Sequence, residues 1–201
     1  MQLQQTGKKS ERYERILAEC TRLFVEKGYE QTTISDVVKA CDMARGTFYL
    51  YFDSLEQVLK ALFTRTMNLL WEQVEANQAA FQNSVEAALA EIIRSVFRML
   101  TERKELLSVF RCGGGQKFNE YKYHMIRDHI GKRVSDMLER GVQSCDARPC
   151  SSELVSLMIT TLVDHMAYYT VALQEDGYPQ ETVEQELLDF IRYGVTQRNL
   201  V

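Results

Sequence analysis

Apolar residues recur at intervals of three and four along most of the chain, the spacing that puts side chains on one face of a helix. Ile16, Leu17, Cys20, Leu23 and Phe24 make the first such stripe, and Gly28 follows it. This predicts a helix over residues 10–27 with a glycine at its C-terminal end. Ile34, Val37, Val38 and Cys41 repeat at i, i+3, i+4 and i+7, preceded by Thr33 with Asp36 three residues on. That pairing is a shortened capping box, so a second, short helix is expected over 34–41. Asp42 and Met43 make a tight turn into a third helix over 44–51. Its inward face is expected to be Ala44, Phe48 and Phe52, spaced i, i+4 and i+8.

Asp53 and Ser54 break that helix, and Ser54 with Gln57 forms a capping box for a fourth helix running to about residue 77. Asn83 with Glu86 marks a fifth helix to about residue 103, and a shorter one covers 105–111. Cys112–Gly115, CGGG, stops it. A long helix follows over 117–142, and the loop SCDARPC separates it from another over 153–174. Asp176–Pro179 reads as a turn, with Pro179 in the first position of a last helix over 180–198. The expected fold is all-α, with about nine helices and no strand.

Composition agrees. The 201 residues contain only two prolines and ten glycines, too few turn residues for an all-β fold. Hydrophobic residues are 45% and charged residues 26%, ordinary for a globular protein. The formal net charge is −4, which by itself disfavours phosphate binding. The charge is uneven, however. Residues 1–65 carry ten Lys and Arg against nine Asp and Glu, and residues 66–201 carry fourteen against nineteen. A basic face must therefore be local and near the N-terminus. Cys20, Cys41, Cys112, Cys145 and Cys150 are odd in number, scattered and free of any CxxC pair. They are read as reduced thiols of a cytoplasmic protein, with no zinc site and no other metal or cofactor. The N-terminus lacks the apolar run of a signal peptide. Residues 154–173 are long and apolar enough to suggest a membrane span. Asp164 and His165 at the middle argue instead for a buried or interface helix, and no membrane partner is expected.

Two short helices joined by a tight turn, the second carrying polar residues, form a helix-turn-helix, whose second helix enters the DNA major groove. Phe48 and Phe52 are explained as core; Tyr49 and Tyr51 are not. Arg45 can donate in a fork to guanine, and Gly46 permits close backbone approach. Thr47 can meet a phosphate or a thymine methyl, while the Tyr49 and Tyr51 hydroxyls suit phosphates. A Tyr-rich helix could also be a protein-interaction face, and short paired helices also occur as plain packing units. Residues 10–60, with the text ILAECTRLFVEKGYEQTTISDVVKACDMARGTFYLYFDSLEQVL, resemble the DNA-binding domain of the TetR family of bacterial transcriptional regulators. The shared features are the glycine-aromatic end of helix one, the Thr-Thr entry to helix two and the Gly-Thr-aromatic-Tyr-x-x-Phe core of helix three. The resemblance implies a homodimer on palindromic operator DNA and a C-terminal domain whose small-molecule ligand loosens that grip. The expected DNA-binding set is Thr33, Arg45, Gly46, Thr47, Tyr49 and Tyr51. Two positions depart from the family: Tyr51 stands where His is common, and Leu55 where Lys is common. Lys8, Lys9, Arg12 and Arg15 could make up the missing cationic contact.

The expected division is a DNA-binding domain over residues 1–54 and a ligand-binding and dimerisation domain over 55–201. The apolar stripes of the second part read either as bundle core or as the wall of a lipophilic pocket. Candidate pocket residues are Phe97, Tyr121, His124, Met125, His129, His165, Tyr168 and Tyr169. His124 and His129 are five apart and do not share a face as metal ligands four apart would. CGGG lacks the following Lys-Ser or Lys-Thr of a phosphate loop and reads as a flexible joint, with Cys112 a candidate redox switch. Leu154, Leu157, Met158, Thr161 and Leu162 on one helix, with Leu187, Leu188, Ile191 and Val195 on the last, are expected at a four-helix dimer interface. No nucleophile–base pair suggests an enzyme. The rival readings are a thiol-based redox-sensing regulator and a helical small-molecule binder that no longer reads DNA.

Overall fold

A computed structural model describes residues 2–76, 84–173 and 177–196; the side chains of residues 2–9 and of Cys112 lie outside the described set. Every regular element among the described residues is helical, with one isolated bridge between Ala147 and Thr196. The order is α1 (Gln2–Lys27), α2 (Ile34–Ala40), α3 (Arg45–Tyr49), α4 (Leu55–Ala76), α5 (Val85–Glu102), α6 (Lys104–Cys112) and α7 (Gly115–Met125). A π-helical turn, π1 (Ile126–Gly131), joins α7 directly to α8 (Lys132–Gln143). Then come α9 (Ser152–Tyr168), its π-helical extension π2 (Tyr169–Leu173) and α10 (Gln180–Val195). Counted as unbroken rods, these are nine helices among the described residues, the expected all-α fold.

By compactness the chain falls into two units. The first comprises residues 1–66 and 105–122, the second residues 67–104 and 123–201. In the first, the α1 stripe is buried as expected, with Ile16, Leu17, Cys20, Leu23 and Phe24 all inside. α1 starts earlier than its apolar stripe, at Gln2, and Gly28 closes it at φ +88°. The Thr33 cap is complete: its Oγ accepts from Asp36 N at 3.2 Å, and the Asp36 carboxylate accepts from Thr33 N at 2.8 Å and from its hydroxyl at 2.6 Å. Lys27 Nζ lies 2.6 Å from the same carboxylate, so one side chain ties the end of α1 to the start of α2. The turn after α2 needs a left-handed residue, and Asp42 supplies it at φ +49°. Ser54 receives the amide of Gln57 at 3.2 Å, but the Gln57 side chain returns to Asp53 N rather than closing a reciprocal box.

Two of the three glycines of CGGG stand in close contacts. Gly114 sits at φ +75°, and a Cβ there would fall 2.6 Å from Phe118 Cβ and 2.9 Å from a Leu59 methyl. A Cβ on Gly113 would fall 2.7 Å from Val109 O and 3.0 Å from the Tyr29 side chain. Glycine is needed there because the α6–α7 turn lies close against Leu59 of α4 and Tyr29, just beyond α1, within the first unit. Phe63, Phe110, Phe118 and Tyr121 fill that turn; Phe63 meets Phe110 edge-on at 5.3 Å and Phe118 at 5.9 Å. Lys122 Nζ donates to the Phe110 carbonyl, placing a cation at the C-terminal end of α6.

In the second unit α9 packs on α8, α5 and α10. Ser84, one residue beyond the expected Asn83, caps α5 by accepting from Ala87 N at 3.0 Å; Asn83 lies outside the described residues. Asp146 Oδ2 accepts from Val85 N at 2.5 Å, so the 144–150 loop puts a carboxylate at the same helix end. Pro179 is the N-cap of α10, not its first helical residue, because its ψ of 137° is extended. Neither π turn was visible in the sequence. A π turn displaces backbone hydrogen bonds from their usual partners, and at π1 the Ser156 hydroxyl of α9 takes up the Gly131 carbonyl at 2.5 Å.

Candidate nucleic-acid interface

α3 is only five residues long, too short to hold its shape alone, and one buried ring anchors it. Phe48 is fully buried and Phe52, just beyond the helix, nearly so. Their centroids are 6.1 Å apart, and Phe52 stacks on Tyr13 of α1 at 5.2 Å. Burying each ring contributes about 2–3 kcal/mol. Ala44 does not join this face. It is the exposed N-cap of α3 with ψ 147°, so the helical spacing i, i+4 does not extend back to it.

Anchoring one face leaves the others to solvent. Arg45, Gly46, Tyr49 and Leu50 are exposed, and Thr47 and Tyr51 are half-buried. The Arg45 guanidinium reaches the Tyr49 hydroxyl at 3.4 Å and lies 5.9 Å from its ring centroid, so the two residues hold each other outward. A Cβ on Gly46 would meet nothing within 4 Å. A glycine inside a helix costs up to about 1 kcal/mol relative to alanine, and no neighbour in the chain requires it here. Thr33 sits at the N-terminus of α2 with its hydroxyl on Asp36. The Lys27 ammonium, first, and the Thr33 bonds hold the Asp36 carboxyl well below the usual carboxylate range. Arg12 and Arg15 are exposed on α1; the side chains of Lys8 and Lys9 lie outside the described set. Leu55 opens α4 half-buried.

Known proteins match this arrangement. Residues 16–62 match the family described as bacterial regulatory proteins, tetR family. YvdT, a helix-turn-helix transcriptional regulator of Bacillus subtilis (strain 168), is 36% identical over 186 residues, covering 91% of this chain and 94% of YvdT. The chain belongs to the TetR family. The fatty acid metabolism regulator protein of the same organism is 31% identical over 190 residues, covering 93% of this chain and 97% of that protein. Among solved structures, a TetR-family regulator from Syntrophomonas wolfei superposes with a TM-score of 0.78 at 21% identity, covering 91% of this chain and 94% of that one. FadR from Bacillus subtilis, solved in complex with stearoyl-CoA, superposes with a TM-score of 0.75 at 21% identity, covering 90% and 98%. This TetR-family chain is therefore a DNA-binding transcriptional regulator, whose relatives include ligand-binding ones.

The expected effector residues belong to both units. Phe97 is fully buried in the core of α5. Tyr121 is half-buried in the first unit, its hydroxyl 2.5 Å from that of Thr64 and its ring under Lys60. Met125, Tyr168 and Tyr169 are half-buried in the second unit, whereas His124, His129 and His165 are exposed. His165 follows Leu154, Met158 and Thr161 at i+11, on the outward stripe of α9. None of the eight lines the open groove of about 800 Å³ between π1, α8 and the start of α9, which is edged by Arg127, Lys132, Asp136, Glu139 and Glu153.

The dimer candidates divide in the same way. Leu154, Leu157, Met158 and Thr161 point outward from α9, Leu162 is half-buried, and Ile159, Val163 and Ala167 form its inner face. On α10, Leu187, Ile191 and Val195 are buried in the chain's own core and Leu188 is half-buried. The outward apolar residues of α10 are Phe190, 71% exposed, and Tyr193, 58% exposed, which spacing alone did not single out. Ser152–Leu173 is long and apolar enough to cross a membrane by length and composition, with a third of its best window buried.

Cys20 and Cys41 are buried, and burial, foremost, pushes the Cys20 thiol up to about 12 and raises that of Cys41. Cys145 is exposed and Cys150 half-buried. The side chain of Cys112, the redox candidate, lies outside the described set.

Proposed function

We propose that this TetR-family chain is a repressor that binds a palindromic operator as a homodimer and leaves it when a small lipophilic effector binds. In this reading residues 1–54 read DNA and residues 55–201 take the effector and form the dimer. The observation that carries it is the outer face of α3, where Arg45, Gly46, Tyr49 and Leu50 stand exposed and the glycine has no internal neighbour to explain it. Arg45 would pair with a guanine edge. Thr33, Thr47, Tyr49 and Tyr51 would meet phosphates that fix register. Site of action would be the cytoplasm, where the operator is.

The outward faces of α9 and α10 support the dimer. Leu154, Leu157, Met158, Phe190 and Tyr193 are large and apolar, and a second copy would cover them. Two copies would present two α3 helices, as a two-half-site operator needs. The full-length likeness to a fatty acid metabolism regulator, and the stearoyl-CoA in FadR, favour a long-chain acyl thioester as the effector. Its preference for one of two arrangements of the dimer would shift the population away from the DNA-bound one.

The test is selection of bound duplexes from a random pool at about 150 mM salt, where non-specific phosphate binding is weak. The expected product is one palindrome, released by stearoyl-CoA and not by coenzyme A alone. Enrichment of no sequence would overturn the DNA reading; release by neither compound would overturn the effector class.

A further inference from the structure

Leu50 is 75% exposed, more than any other large hydrophobic residue among those described. Its backbone closes α3, with its N–H directed at the carbonyls of Phe48 and Thr47, and its side chain projects away from the core. A single exposed leucine on a protein surface is ordinary. This one is set apart by its neighbours, because it continues the exposed surface made by Arg45, Gly46 and Tyr49.

We propose that Leu50 is a specificity-determining residue that packs on the 5-methyl group of a thymine in each half-site. This rests on the DNA-reading role of α3. A side chain on that surface meets phosphates, sugars and base edges. Phosphates and the polar base atoms all demand charge or hydrogen bonding, which an isobutyl group cannot give. The apolar feature of the major-groove edge is the thymine methyl. Leucine at this place would therefore be a poor choice for backbone contact and a good one for telling thymine from cytosine.

The experiment uses the full-length protein and its selected operator. Each half-site thymine is replaced in turn by deoxyuridine, which removes the methyl group and leaves the hydrogen-bonding edge intact. Affinity is measured for the parent and for Leu50→Ala, with circular dichroism confirming that the variant is folded. The expected result is one thymine per half-site whose replacement weakens the parent about fourfold, the worth of one buried methyl-sized group. Leu50→Ala should bind the thymine operator correspondingly less well and be indifferent to uridine at that position. The inference is overturned if the parent tolerates uridine at every thymine, or if Leu50→Ala keeps the full uridine penalty. Binding of the unmodified operator by the parent separates those failures from failure of the DNA reading itself.

Discussion

Replacing Gly46 with alanine separates the folding role of α3 from its reading role. A methyl group at that position meets no atom within 4 Å, and the backbone is helical. The folded chain can accept it, and the unfolded chain loses conformational freedom, so the variant should be more stable by about 0.4–1 kcal/mol. For a protein of this size that is a rise in Tm of roughly 1–4 °C. DNA binding should move the other way. If Gly46 lets the α3 backbone approach the duplex, a methyl there displaces the helix and weakens contacts such as that of Arg45. Losing about 1.4 kcal/mol per copy is a tenfold loss, and two copies on a palindrome make it about a hundredfold. Thermal unfolding and fluorescence anisotropy on the selected operator measure the two effects on one preparation. A variant that gains stability and keeps its affinity would refute the close-approach role. A drop in Tm would refute the open space around Gly46.

Gly114→Ala should instead destabilise by about 2–5 kcal/mol, the sum of a left-handed backbone and an overpacked contact with Phe118; an unchanged urea midpoint would show that the turn yields. Asp36→Asn should lower stability at pH 7. Because the folded carboxyl is held below its ordinary value, its contribution is fully present above about pH 4 and is lost progressively as the pH falls from there towards the lower folded value; a parent–variant difference that stays constant from pH 7 to acid would contradict this. Iodoacetamide should label Cys145 and Cys150 in the native protein and reach Cys20 and Cys41 only after unfolding, as peptide mass spectrometry would report; rapid native labelling of Cys20 would contradict its burial. Leu154→Glu combined with Phe190→Glu should turn a dimer into a folded monomer in sedimentation, whereas a persisting dimer would place the interface elsewhere.

The helices were legible in the sequence because most expose one face and bury another, which makes the apolar period unambiguous. Their ends were legible where a side chain does the capping, as at Thr33 with Asp36 and at Ser54, or where a glycine takes the left-handed position, as at Gly28. Errors came where backbone geometry decides. Ala44 has the right spacing for the core but stands one residue before the helix begins. Pro179 has the right φ for the first helical position, but its ψ makes it the cap. The π turns left no pattern at all, since they are sustained by distant packing, as the Ser156 bond to Gly131 illustrates. CGGG looked flexible because glycine permits flexibility. In the fold Gly113 and Gly114 leave no room for a side chain, whereas Gly115 stands in open space at φ +60°.

Periodicity also falls short where a helix is apolar on two faces. On α10 the stripe Leu187, Ile191, Val195 and the pair Phe190, Tyr193 are both apolar, and only the fold reveals that the first is core. α9 repeats the situation, with Ile159, Val163 and Ala167 inside and Leu154, Leu157 and Met158 outside. A helix needs one apolar face to fold against its own chain. The second face gives this chain nothing by itself and exposes large side chains to water, at a cost of about 25 cal/mol per Å². Two neighbouring helices with this same excess would share one explanation in the proposed dimer, where a second copy would supply a surface of matching chemistry. The same reasoning applies at α3 on a smaller scale. Phe48 is enough to anchor it, and under the proposed DNA reading the exposed Leu50 and the glycine at 46, which no neighbour requires, take their purpose from the duplex.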